Sequence, residues 1–382
     1  MSEPIESFRI HVEDAVLDDL RRRLALTRFP DQIEGTGWES GVPVDELRAL
    51  VAYWRDGYDW RAQESQLNRL PHFRTAIDGQ PIHFVHQRSS RTDALPLLIV
   101  HGWPGSIVEF LEVIPRLADP EAHGAAASDA FHVVAPSLPG YGFSGPTRSR
   151  GWDVARIARA FVELMHRLGY ARYGAQGGDW GSQVVTRIGA LDPEHCAGIH
   201  LNMPLASRPE NPAPLSDEEK ADLAVMARFQ REEAAYALAQ GTKPQTLGAA
   251  LNDSPAGLLA WILEKFRTWS DCGGRPENAF TRDQILTNVM LYWVTQTITS
   301  SVRLYWEARQ GGGWAEPPGY VSVPTGVARY PKEEVMRFPR AWVERHYNVT
   351  HWAVLPRGGH FAAMEQPELF AADLRAFFRT VR

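Results

Sequence analysis

Residues 174–182 read Gly-Ala-Gln-Gly-Gly-Asp-Trp-Gly-Ser, and the chemically suggestive member is Asp179, standing where a G-x-S-x-G turn would present a serine. A serine alkoxide attacks acyl carbons, whereas a carboxylate offered at a tight strand-to-helix turn suits displacement at a saturated carbon. Displacement would leave the side chain as an alkyl ester, and a second set of groups would then be needed to bring water to it. The same residues also admit a plainer reading, a glycine-rich turn whose aspartate caps the next helix.

The flanks favour the chemical reading. Val154, Ile157, Ala158, Phe161, Leu164, Met165 and Leu168 recur at helical spacing over 153–168, and Gly169 follows as a stop. Residues 172–176 have the length of a buried strand, Gly177, Gly178 and Gly181 permit a strained turn, and Val184, Val185, Ile188 and Leu191 resume helical spacing. Strand, turn and helix are the context such a nucleophile requires.

Three further stretches carry chemistry. His101-Gly102-Trp103-Pro104 ends an apolar strand expected at 97–101, a position from which the Trp103 N–H would serve an oxyanion; the N–H of Trp180, next to the nucleophile, would be its second donor. His101 itself is given no proton-transfer role, since a histidine here can equally brace the loop. Gly358-Gly359-His360-Phe361 follows the last expected strand, so His360 is the candidate general base for water. Its orienting acid should follow the strand expected at 320–328, where Tyr330-Pro331-Lys332-Glu333-Glu334 offers two glutamates; Glu333 is chosen, the other being a solvated charge. The strand at 197–202 is followed by no carboxylate, only Asn202. If the saturated carbon belongs to an epoxide, opening it creates an alkoxide, and phenols are matched donors for that oxygen. Tyr236, Tyr292 and Tyr305 qualify by type, and spacing does not choose among them.

Length and composition set the frame. The chain has 382 residues, 44% of them hydrophobic, and a net charge of −6, which fits a large soluble α/β protein and provides no broad cationic surface for nucleic acid. Cys196 and Cys272 form neither a disulfide framework nor a zinc pattern. Residues 1–19 lack an apolar signal core and runs such as 95–100 are too short to cross a bilayer, so a cytoplasmic protein acting on a small molecule, without a membrane partner, is expected. Residues 1–95 form an arm with helices at 12–26 and 44–58 and a hairpin, 73–77 with 82–87, turned by Asp78-Gly79. Residues 96–204 are the first part of the core, with strands at 97–101, 131–135, 172–176 and 197–202. Residues 205–318 interrupt it with helical spacing at 217–240, 257–268 and 281–310, and 319–382 return to strands at 320–328 and 350–355 and a closing helix at 368–381.

These stretches together resemble the epoxide hydrolases of the microsomal type, and the resemblance spans nearly the whole chain. Besides the motifs above it rests on Ala250-Leu251-Asn252-Asp253-Ser254-Pro255, Ile262-Leu263-Glu264-Lys265-Phe266, Thr287-Asn288-Val289-Met290-Leu291-Tyr292-Trp293, Val323-Pro324-Thr325-Gly326 and Gly358-Gly359-His360-Phe361-Ala362-Ala363. It implies an α/β-hydrolase fold: a mostly parallel central sheet flanked by helices, with an inserted helical cap and an N-terminal arm. It implies an epoxide and water as substrates, a vicinal diol as product, and neither metal nor organic cofactor. The family's two cap tyrosines carry over to Tyr236, upstream of Gly241-Thr242-Lys243-Pro244, and to Tyr305, within Arg303-Leu304-Tyr305-Trp306-Glu307, leaving Tyr292 a structural residue. The family's acid follows a Pro-x pattern matching Pro331-Lys332-Glu333, but the segment 331–339 is one residue longer than the pattern, which keeps Glu334 as an alternative. Tryptophans such as Trp103, Trp180 and Trp269 hint at an aromatic or bulky apolar epoxide. An arm reaching over a neighbour would support a homodimer. Haloalkane dehalogenase is the rival reading for an aspartate followed by tryptophan, and a silent hydrolase-fold binding protein the more distant one.

Overall fold

The computed structural model describes residues 3–210, 214–311 and 317–382. The expected cap segment 205–318 therefore includes two short stretches outside the described residues. Among those described, nine strands form one sheet: β1 Glu6–Phe8, β2 His72–Ile77, β3 Gln80–Gln87, β4 Leu95–Val100, β5 Phe131–Pro136, β6 Tyr173–Gly177, β7 Cys196–Leu201, β8 Val321–Arg329 and β9 Tyr347–Val354. Their spatial order is β1-β2-β3-β5-β4-β6-β7-β8-β9. β1, β2, β3 and β5 pair antiparallel, and every pairing from β5 through β9 is parallel. The hairpin turns where expected, Asp78 and Gly79 both taking positive φ.

Leu97, Leu98, Ile99 and Val100 are wholly buried, as a central parallel strand covered on both faces must be. Helices of the core and of the insertion obey local rules: the Asp153 carboxylate accepts from the Arg156 N–H at the start of Val154–Arg167, and Thr281 and Gln284 form a capping box before Arg282–Val294. Two long helices expected in the insertion are each divided. Residues 217–240 become Asp217–Glu232 and Ala235–Thr242. Residues 281–310 become Arg282–Val294 and Ile298–Gln310, because Gln296 takes a φ of 53° between them, a conformation no helix propagates. Helices such as Trp60–Leu67 and Pro244–Leu251 carried too little periodicity to be expected.

The arm is tied to the cap of its own chain. Its helix Asp14–Ala25 buries Leu17, Leu20 and Leu24, while the guanidinium of Arg23 donates to the carbonyl and the carboxylate of Asp253 at 2.8 and 2.7 Å. Farther along, the Tyr53 hydroxyl donates to Asp283 at 2.7 Å. Among the described residues no helix is long and apolar enough to cross a membrane. The parallel order brings the loops after β4, β6, β8 and β9 to one end of the sheet, where open α/β sheets place their sites.

Candidate active site

The turn after β6 is built on close backbone approach. A methyl group on Gly181 would sit 2.0 Å from the Val100 carbonyl oxygen, so only glycine lets the first turn of the helix Trp180–Leu191 press against β4. Asp179 occupies a φ of 49° and ψ of −127°, a strained conformation for a residue with a side chain, and makes no cap bond to its helix. The plain capping reading therefore does not describe it. Its carboxylate points across to the loop after β4, where a Cβ on Gly102 would meet Asp179 Oδ1 at 2.1 Å and where the Trp103 N–H donates to that same oxygen at 2.8 Å.

On its other side Asp179 faces His360. The imidazole Nε2 lies 3.4 Å from Asp179 Oδ2, and Nδ1–H donates to Glu333 Oε2 at 2.8 Å. All three side chains are buried. The second oxygen of Glu333 accepts from the Val335 N–H at 3.0 Å, and a parallel bridge between Lys332 and Gly359 binds the acid's loop to the histidine's. Glu334, the adjacent alternative, turns away to pair with Arg228. Burial alone would depress the imidazole, but the carboxylates of Glu333 and Asp179 outweigh it and hold His360 well above the ordinary histidine range.

The cap closes the site with rings. Tyr236, in Ala235–Thr242, stacks on Trp103 with centroids 5.4 Å apart, and Tyr305, in Ile298–Gln310, stands edge-on to Trp103 at 5.8 Å and to Trp180 at 4.8 Å. The two phenol rings are 5.9 Å apart. Burial and the charge of Asp179 raise Tyr236 well above the usual phenol range; burial, Tyr236 and Asp179 do the same for Tyr305, so both keep their protons. Tyr292 is elsewhere engaged, its hydroxyl donating to the Gly105 carbonyl at 2.5 Å. His101 braces its loop: Nδ1 meets the Gly102 carbonyl at 2.9 Å, Nε2 accepts from the Leu138 N–H at 3.2 Å, and burial lowers it to about 4.

Two residues have contacts at the site that the sequence did not indicate, Glu109, which carried no signal, and Trp269, which was singled out only as one of several tryptophans. Glu109, partly buried, lines a small cavity with Asp179, His360 and Asn202; burial pushes its carboxyl up to about 8, with His360 opposing and Asp179 adding. Trp269 accepts the His360 N–H on its carbonyl at 2.8 Å and sets its ring 4.9 Å from the imidazole. Only a fold in hand reveals such contacts, since neither lies in a spaced motif with its partner. Among the described residues one group, His166, Asp192 and His195, has donor atoms close enough to share a metal ion. Asp192 caps the far end of the helix that begins after Asp179, so this group is remote from the site.

Fold and site define an α/β-hydrolase with aspartate at the nucleophile position. Comparison with known proteins agrees and is more specific. Residues 5–110 match the family model described as the epoxide hydrolase N terminus, and 96–310 match the alpha/beta hydrolase fold. A Stigmatella aurantiaca protein provisionally named an epoxide hydrolase is 50% identical over 99% of this chain and 86% of its own length. Epoxide hydrolase 1 of Sus scrofa is 40% identical over 98% and 88%. The crystal structure of juvenile hormone epoxide hydrolase from Bombyx mori superposes with a TM-score of 0.90 at 34% identity, covering 100% of this chain and 95% of that one. The chain belongs to the epoxide hydrolases, enzymes of the α/β-hydrolase fold. The dehalogenase and silent-binder readings gain no support from these likenesses.

Proposed function

We propose that the protein converts an epoxide bearing an aromatic or bulky apolar group, with water, to a vicinal diol through an alkyl ester of Asp179. The observation that carries this reading is the unbroken series from the Trp103 N–H through Asp179 and His360 to Glu333, set beneath two buried phenols. In the first step a carboxylate oxygen of Asp179 attacks a ring carbon, the ring C–O bond breaks, Tyr236 and Tyr305 hydrogen-bond the departing oxygen, and one of these phenols gives it its proton. The rings of Trp103, Trp180 and Trp269 pack around the two phenols, an aromatic surround that supports such a substrate.

In the second step His360 takes a proton from water, the hydroxide adds to the ester carbonyl, and the N–H groups of Trp103 and Trp180 hold the oxyanion. Collapse releases the diol, one water proton passing through His360 to the leaving oxygen and the other restoring the phenol. The charge arrangement favours this order. While Asp179 is ionised it helps keep His360 cationic; esterification removes that charge, and the imidazole falls toward its neutral form when a base is needed. Single turnover in heavy-oxygen water is the test. Label should enter the enzyme and be nearly absent from the first diol; label found chiefly in that diol would exclude the ester.

A further inference from the structure

The stretch Ile262-Leu263-Glu264-Lys265-Phe266 has no part in the chemistry above, yet it puts a cation beside the site. Lys265 belongs to the helix Pro255–Thr268, and its side chain is only 3% exposed. Its ammonium lies 4.8 Å from the ring centroid of Tyr236, 5.7 Å from that of Trp269 and 5.9 Å from that of Trp261. It also pairs with Glu264 at 2.7 Å, but that carboxylate is 28% exposed and partly screened by water. A buried ammonium is costly to desolvate, and three aromatic faces repay part of that cost. Those faces are not neutral bystanders. Tyr236 stacks on Trp103, whose N–H holds the carboxylate of Asp179, and Trp269 touches both Tyr236, at 5.0 Å, and His360.

We propose that Lys265 is a positioning residue for ring opening: its cation over the Tyr236 ring holds that phenol in place and strengthens it as a donor to the departing oxygen. The proposal rests on the reading of Tyr236 given above. A positive charge at the face of a phenol favours the anionic over the neutral ring, and here it opposes the effects that work the other way. Facing Tyr236 are the carboxylates of Asp179 and Glu333, which disfavour its ionisation, and the hydroxyl of Tyr305. Facing Lys265 are Glu264 and the half-buried Glu233, whose carboxyl burial raises and Lys265 lowers. Lys265 is thus the cation that touches the phenol, and its effect should appear as ring opening creates charge on oxygen and not when the ester is cleaved.

Single-turnover kinetics with styrene oxide, followed by tryptophan fluorescence, separate the two steps. Lys265→Met is expected to slow ester formation by roughly tenfold to hundredfold while leaving ester hydrolysis within about twofold. Lys265→Arg, which keeps a cation, should recover most of the rate. In a Tyr236→Phe background the lysine substitution should change ester formation by no more than about twofold, because the group it acts through is gone. Lys265→Gln, which keeps a donor toward Glu264 without the charge, carries the same test if the methionine variant does not fold. A lysine that only packs the cap would slow both steps together and additively with Tyr236→Phe; that result, or unchanged ester formation in Lys265→Met, overturns the proposal. Wild-type protein that turns over no epoxide would instead overturn the functional reading beneath it.

Discussion

The two walls of the site are held by different forces. The core wall consists of Asp179, the loop carrying Trp103, and the His360–Glu333 pair, and it is fixed by backbone contact and hydrogen bonds between 2.8 and 3.0 Å. The cap wall consists of Tyr236, Tyr305 and Lys265, and it is held by rings meeting rings and an ammonium meeting a ring. The first kind of contact tolerates almost no displacement, since a hydrogen bond weakens steeply with angle and a Cβ at Gly181 has nowhere to go. Ring contacts are shallower and broader. The proposed nucleophile and base thus stand on short-range supports, while the proposed donors to the departing oxygen are held by broader ring contacts.

Substitutions in the two walls should accordingly differ in size. Removal of the attacking oxygen in Asp179→Asn is expected to abolish diol formation, a loss of about 10⁴-fold or more measured as product from styrene oxide. His360→Gln should cost roughly 10³-fold in steady-state turnover while sparing the first step, so that intact-protein mass spectrometry finds a stoichiometric adduct of epoxide mass. Equal loss of adduct formation would mean that the histidine serves the first step as well.

Glu333→Gln should slow ester hydrolysis by about 10²-fold and also move its pH dependence. Hydrolysis needs neutral imidazole, so its rate rises with pH through the histidine pKa. Deleting the carboxylate that raises that pKa should shift the rising limb to lower pH. The stability contribution has the opposite dependence: a raised histidine stabilises the fold fully below the ordinary range, near 6.5, and the benefit is lost as pH rises through the folded-state value. In the cap wall, Tyr305→Phe should slow ester formation by roughly tenfold to thirtyfold, as the second phenol remains. The smallest effect is expected of Glu334→Gln, within about twofold, because this side chain leaves the site for a partly exposed pair with Arg228. A loss at Glu334 comparable to that at Glu333 would erase the distinction between the neighbours.

Most of the core wall was legible before any fold was known. Glycines at 177, 178 and 181 between a strand-length run and a helical run locate the turn, and the order of nucleophile, acid and base along the chain limits where partners can lie. Helix continuity was less legible. The breaks at 233–234 and 295–297 fall inside segments read from spacing as continuous helices, and the positive φ of Gln296 at the second is not announced by a glycine. Tyr305, Tyr236 and Tyr292 looked alike by spacing; the resemblance to relatives separated them, and the cap's geometry puts the first two over Trp103 and engages the third with a carbonyl.

By itself the sequence determined the fold class, the identity of the strained aspartate and the histidine that faces it, because each is encoded in a few consecutive residues whose backbone demands are local. Tertiary structure sets Glu333, and not Glu334, against the imidazole of His360. Which of the two adjacent side chains meets the imidazole depends on the bridge from Lys332 to Gly359, across 27 residues of sequence. It likewise decided that Lys265, one cation in an amphipathic helix by its pattern, lies against the ring of Tyr236, for electrostatic contact between a helix of the cap and a residue about 30 positions away is a property of packing and not of spacing.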